Sequence, residues 1–124
     1  YDDIDVIAGQ GTVALEIIEQ LKTTPDYIFV PVGGGGLLAG ITSYLKYESP
    51  KTKIIAVEPS DSDCFNQAFI AKKRVKLKNI GIFADGVAVK QIGKTTFDLT
   101  RDYVSSSLLV TTDEICAGIK DLYD

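Results

Sequence analysis

Four consecutive glycines, Gly33 to Gly36, follow the apolar run Tyr27-Ile28-Phe29-Val30-Pro31-Val32 and precede Leu37-Leu38-Ala39-Gly40-Ile41. Fixing four glycines is entropically costly and forgoes the packing of four side chains. Such a run makes sense where the backbone itself must touch something. Main-chain N–H groups fanned before a helix N-terminus, with the positive end of the helix dipole behind them, form a site for a phosphate or another anion. The alternative is a glycine turn needed only for tight packing. Other chemistry is narrowed by what is missing. The chain has no histidine, which excludes within it a Ser-His-Asp triad, a Cys-His pair and His-ligated zinc. Cys64 and Cys116 have neither metal-ligand spacing nor a disulfide framework, and both are expected to be reduced at half-buried helix positions. Reaction chemistry run from these residues would need a cofactor, a metal held by oxygen, or groups from elsewhere.

Three phosphate-binding patterns compete for the glycines. Gly34, Gly36 and Ala39 satisfy the dinucleotide pattern G-x-G-x-x-A, and Glu58 ends the next apolar run, where a ribose-binding acid would stand. A nucleotide P-loop fits worse, because no Gly-Lys-Ser/Thr follows. The third is a small cofactor with a single phosphate, favoured because four glycines without an intervening side chain let several N–H groups converge on one group.

The elements that would position this loop alternate between helix and strand. Val13, Ala14, Ile17, Ile18 and Leu21 form a helical stripe, with Thr12 as its expected N-cap and an end before Pro25. Tyr27 to Val32 and Lys53 to Val57 are all-apolar or nearly so, as strands buried on both faces are. Helices are expected over 37–47, 63–72 and 95–103, with 79–89 irregular or strand-like and a short strand at Leu108-Leu109-Val110. Thr111 and Glu114, three apart, form a capping box for a last helix carrying Ile115, Ile119 and Leu122 on one side. The expected fold is α/β, a three-layer open parallel sheet with helices on both faces, whose ligands bind at the carboxyl ends of strands. The glycine run and Glu58 both fall there.

The residues then become specific enough for a resemblance. Ile7-Ala8-Gly9-Gln10-Gly11-Thr12-Val13-Ala14-Leu15-Glu16, followed by Pro31-Val32-Gly33-Gly34-Gly35-Gly36-Leu37-Leu38-Ala39-Gly40, resembles the pyridoxal-phosphate threonine and serine dehydratases of fold type II. The similarity continues through Ile55-Ala56-Val57-Glu58-Pro59, Phe83-Ala84-Asp85-Gly86-Val87-Ala88-Val89-Lys90, Gly93 and Asp113-Glu114-Ile115-Cys116. The stretch from Ala84 to Gly93 looks most like the biosynthetic threonine dehydratases; serine dehydratase and serine racemase share the framework. The resemblance implies pyridoxal 5'-phosphate as cofactor, with Gly33, Gly34, Gly35, Gly36 and Leu37 holding its phosphate. It implies conversion of L-threonine to 2-oxobutanoate and ammonia for isoleucine biosynthesis, a small amino-acid substrate and a homo-oligomeric parent. Asp85 and Gly86 match a stretch that passes near the cofactor ring, against the alternative of a tight turn. Glu58 and Asp63 resemble the acidic pair that binds a divalent cation in serine racemase, in a loop here one residue shorter. The alternative is a helix-capping Asp63 and a solvated Glu58.

The family's Schiff-base lysine lies in a motif upstream of Tyr1, and the serine facing the ring nitrogen beyond Asp124. Lys90 stands in a family motif but not at that lysine's position. Residues 1–124 would therefore be a single incomplete α/β domain, the second portion of the cofactor-binding large domain. The catalytic-lysine part and any regulatory domain would lie outside it, and the fragment alone would carry no catalytic residue. The absence of methionine and the start on Tyr1 agree with a segment of a longer protein.

Composition is that of an ordinary globular domain, and 124 residues suffice for one core. With 13 basic against 17 acidic residues the net charge is −4, so no global field draws the chain to nucleic acid. The basic run Lys72-Lys73-Arg74-Val75-Lys76-Leu77-Lys78 reads as a solvated helix end. No apolar run reaches the length of a membrane span, and a cytoplasmic location is expected. A different class stays open as well, a non-catalytic α/β module whose loop holds a nucleotide or regulatory anion.

Overall fold

A computed structural model describes residues 1–123. Its elements run α1 (Ile4–Gln10), α2 (Thr12–Leu21), β1 (Tyr27–Pro31), α3 (Gly36–Glu48), β2 (Lys53–Pro59), α4 (Cys64–Ala71), a 3-10 turn (Asp85–Val87), α5 (Lys94–Thr100), β3 (Ser106–Val110) and α6 (Thr112–Tyr123). The helices and strands expected from periodicity are present, and the capping box forms as read. Glu114 N–H donates to Thr111 Oγ1 at 3.1 Å, and Thr111 N–H donates to Glu114 Oε1 at 2.9 Å.

Two departures occur at the start of the chain. Helix α1 was not expected; Asp3 Oδ1 caps it by accepting the N–H groups of Asp5 at 2.8 Å and Val6 at 3.3 Å. Thr12 is not the N-cap of α2. Gly11 holds that position, and the Thr12 hydroxyl turns back to donate to Gly9 O at 2.8 Å, because the chain enters α2 directly from α1 with hardly a turn between them.

The three strands are parallel in the order β1-β2-β3, with Phe29 beside Ile55 and Val57 beside Leu108. Both crossovers step the same way across the sheet. Right-handed connections then place α3, α4 and α5 on a single face. That face carries the core: Val30, Ile54 and Ala56 of the sheet pack with Leu38, Ile41 and Leu45 of α3, Phe65 and Ala68 of α4, and Phe97 of α5. The Phe65 and Phe97 rings meet edge to face at 6.3 Å between centroids. Helix α3 is the hub, contacting α1, α2, α5 and β1.

The parallel α/β sheet is the one expected, but within the described residues helical cover is on one face. On the other, Tyr27 is 54% exposed, Phe29 61% and Leu108 46%. A parallel sheet left open over aromatic and branched side chains is an association surface. The isolated 124-residue chain is expected to self-associate in sedimentation velocity, and Phe29→Thr with Leu108→Thr to shift it toward monomer. A stable wild-type monomer unfolding in one sharp transition would contradict this.

Candidate functional site

The glycine loop leaves the end of β1 and enters α3 at Gly36, with Gly35 as N-cap in the left-handed region (φ 97°) and no side chain capping the helix. Only glycine adopts that φ without strain. A β-carbon at Gly35 would also lie 2.6 Å from Ile92 Cδ1 and 2.8 Å from Thr96 Oγ1. A β-carbon at Gly34 would fall inside the Tyr1 ring, and one at Gly33 would stand 3.1 Å from Val87 Cα. Protein crowds the loop at each of these positions. Tight packing, offered from sequence as the competitor of ligand binding, holds at the same residues.

Packing does not account for the donors. None of the N–H groups of Gly33, Gly34, Gly35, Gly36 and Leu37 donates to an acceptor among the described residues, whereas the Gly34 and Gly35 carbonyls are engaged. Gly35 O accepts from Ala39 N at 2.8 Å, and Gly34 O accepts from Gly93 N at 3.1 Å and Thr96 Oγ1 at 2.7 Å. Gly34, Gly35 and Gly36 are buried and Gly33 and Leu37 half-buried; buried N–H groups are nearly always paired, so this row of donors is suited to a ligand. They border a cleft of about 340 Å³ lined by Gly33 to Leu37 together with Tyr1, Gly86, Val87 and Val89. The donor set and the dipole of α3 fit a phosphate or carboxylate. A more apolar groove of about 460 Å³ between α1, α2 and α3 includes Ile4, Leu15 and Tyr44, but offers no comparable row of free donors.

Gly86 reaches the cleft and forms, with Val87, the wall against Gly33. Asp85 does not line it. It opens the 3-10 turn with an exposed side chain, and its carbonyl accepts from Ala88 N at 3.2 Å. The turn is held from behind by Ser62, whose hydroxyl accepts from Val89 N at 3.2 Å and lies 3.3 Å from Val87 O. Lys90 is exposed.

Glu58 is neither solvated nor poised for a ribose. It is 1% exposed; Oε2 accepts Phe65 N–H at 2.9 Å and Oε1 accepts Asn66 N–H at 2.7 Å, at the N-terminus of α4. This orientation removes the dinucleotide reading, which needs that carboxylate in the cleft. Burial pushes the Glu58 carboxyl up to about 7, in spite of the two N–H groups that favour its charged form. Asp63 precedes α4 as its N-cap without a capping hydrogen bond, and its Oδ1 instead accepts from Gln67 Nε2 at 3.0 Å. Among the described residues no three His, Cys, Asp or Glu side chains converge as a metal site.

The cysteines depart from the half-buried positions expected. Cys64 is 1% exposed, 3.8 Å from Glu58 Oε2, and burial together with that carboxylate pushes its thiol up to about 12. A thiol so far from ionisation is a packing residue rather than a nucleophile. Cys116 is exposed on α6.

Sequence reasoning missed the residues packed against the loop, Tyr1, Ile92 and Thr96. Thr96 lies 62 positions from Gly34, and no local pattern joins them.

Comparison with known proteins gives a consistent family. Residues 1–124 match the family described as pyridoxal-phosphate dependent enzyme. The chain is 52% identical over 124 residues to the biosynthetic, chloroplastic threonine dehydratase of Arabidopsis thaliana, covering all of this chain and 21% of that relative. The processed form of threonine deaminase isoform 2 from Solanum lycopersicum superposes with a TM-score of 0.96 at 46% identity, over 100% of this chain and 36% of that one. Serine racemase from Dictyostelium discoideum superposes with a TM-score of 0.90 at 36% identity, over 99% of this chain and 38% of that one. The chain thus spans about a fifth of the Arabidopsis relative and a little over a third of the two solved chains.

Proposed function

Because this chain belongs to the pyridoxal-phosphate dependent enzymes, we propose that Gly33 to Leu37 hold the cofactor's phosphate in a threonine dehydratase. That enzyme would convert L-threonine to 2-oxobutanoate and ammonia. The observation that carries the reading is the row of five backbone N–H groups without a protein acceptor at the start of α3. They supply several donors and a helix dipole to a phosphate without placing a counter-charge beside the reacting end of the cofactor. When bound, the cofactor supplies an electron sink for the substrate's α-carbon. Residues of this chain bind and orient: the loop fixes the phosphate end, and Gly86 and Val87 wall the cleft beside it. Asp85 is left at the rim without an assigned contact. Glu58 and Asp63 are read as structural groups of the β2–α4 connection, and no cation is assigned to them.

The same reading makes residues 1–124 the second portion of the large domain. The lysine that carries the cofactor would stand in the rest of the protein, as would any regulatory domain. The open sheet face at Phe29 and Leu108 would be covered by that remaining part. We assign a homo-oligomeric parent and an aqueous, reducing compartment, the cytoplasm or its organellar counterpart. Among the described residues no helix is long and apolar enough to cross a membrane. We read threonine rather than serine as the substrate, since the Arabidopsis dehydratase and the tomato deaminase both exceed the Dictyostelium racemase in identity to this chain.

The test is an assay of the full-length protein, with cofactor, on L-threonine and L-serine. The expected result is 2-oxobutanoate as the faster product, and no oxo acid from the isolated 124 residues. Pyruvate from serine as the dominant product would move the assignment to a serine dehydratase. Turnover by residues 1–124 alone would overturn the placement of the reacting lysine elsewhere.

A further inference from the structure

Thr96 is fully buried, and its side chain has a task that local secondary structure does not explain. Its hydroxyl lies 2.7 Å from Gly34 O and 3.1 Å from Gly93 O, so its single hydrogen serves the nearer Gly34 carbonyl first. Gly93 N–H donates to the same carbonyl at 3.1 Å. The backbone of Thr96 is tied in turn by Asp2, whose Oδ1 accepts Thr96 N–H at 3.0 Å. The start of α5 is thus a clamp on one oxygen of the glycine loop.

A trans peptide is planar, and its N–H points opposite to its carbonyl. The described chain has no cis bond. Holding Gly34 O toward α5 therefore aims Gly35 N–H away from α5, toward the cleft bordered by the loop. Glycine on both sides of that peptide leaves it otherwise free to flip, since neither residue has a side chain to restrict φ and ψ.

We propose that Thr96 is a positioning residue for phosphate recognition: by holding Gly34 O it sets the Gly34–Gly35 peptide so that Gly35 N–H faces the anion. The inference rests on the phosphate-loop reading and adds to it a residue that touches no ligand. Replacing the hydroxyl by a methyl of similar size would release the peptide, and the affinity lost would be that owed to the phosphate alone.

The experiment uses full-length apoprotein and two probes that differ only in the phosphate, pyridoxamine phosphate and pyridoxamine, titrated by fluorescence. The quantity read is the ratio of their affinities. Wild type is expected to prefer the phosphate ester strongly. Thr96→Val should reduce that ratio by about tenfold or more, as loss of one aligned donor to an anion does. Its affinity for pyridoxamine should stay unchanged. Thr96→Ser, which keeps the hydroxyl, should restore the wild-type ratio. A general loosening of the fold would weaken both probes together and leave the ratio unmoved, which would overturn the proposal. Should Thr96→Val fail to fold, Thr96→Ser remains decisive, because a folded serine variant with a collapsed ratio contradicts a role for the hydroxyl. If wild type itself shows no preference for the phosphate ester, the phosphate-loop reading falls, and this inference with it. If wild type shows the preference and folded Thr96→Val retains it, only the role of Thr96 falls.

Discussion

Gly36→Asp in the full-length protein should fold as the wild type does and lose cofactor affinity by about 3 kcal/mol or more, the scale set by an unpaired or like-charged group in a buried site. The position is chosen for what its β-carbon would meet: Tyr1 O at 3.2 Å and Tyr1 Cβ at 3.4 Å, contacts that need a shift of only a few tenths of an ångström. Gly36 is the first residue of α3, where an acidic side chain interacts favourably with the helix dipole. The β-carbon and the helix start therefore tolerate the substitution, while the carboxylate beyond them competes for the donors or repels the phosphate. Gly35 would be a poor choice, since its φ of 97° and the crowding from Ile92 and Thr96 would confuse a binding defect with a folding defect. Gly36→Ala carries the same β-carbon without the charge and should bind the cofactor far better than the aspartate variant. Cofactor titration of the three proteins, with circular dichroism to verify folding, decides the matter. Equal affinity of the alanine and aspartate variants would leave the glycines a purely structural role.

The second large effect is a pH dependence centred on Glu58. Its carboxyl stands near 4.5 when solvated and about 7 in the folded chain. The native state therefore holds this proton more tightly than the unfolded state does. Between the two values the unfolded chain binds fewer protons, and stability falls as pH rises. The contribution is fully present below about 4.5, is lost as pH passes through about 7, and is constant above. Integrated over the shift it is on the order of 3 kcal/mol. Denaturant unfolding of the full-length protein at constant ionic strength, from pH 5 to 8, should show this decline. Glu58→Gln should flatten it, since glutamine does not titrate and keeps one carbonyl to accept from Phe65 or Asn66. An unchanged slope in the glutamine variant would assign the dependence to another group.

Much of this was legible in the residues because the signals are local. The apolar runs at Tyr27 and Lys53, the helical stripes and the Thr111–Glu114 box each lie within a dozen residues, and each became the element expected. The loop was legible for the same reason, as four glycines in a row. Helix α1 has a local signal too, Asp3 before Ile4 and Ile7, but Gly9 and Gly11 close behind mask it. What the residues did not reveal is set by long-range packing. Glu58 at the carboxyl end of a strand could face the cleft or the core, and the pleat together with the helix α4 donors turned it inward. Cover on both faces of the sheet was inferred from apolar strands, but the order β1-β2-β3 places the crossovers on one side. Strand composition reports that a face is to be buried; it does not say by which part of a protein.

The protein packed around Gly33, Gly34 and Gly35 changes when the loop loses its freedom. Protein crowds each of those positions: Val87 beside the first, Tyr1 beside the second, Ile92 and Thr96 beside the third. Backbone order at roughly 1–2 kcal/mol per residue is thus surrendered on folding rather than on binding. On the proposed reading the phosphate would meet a receptor already in shape, and its interaction energy would appear as affinity instead of organising a flexible glycine segment.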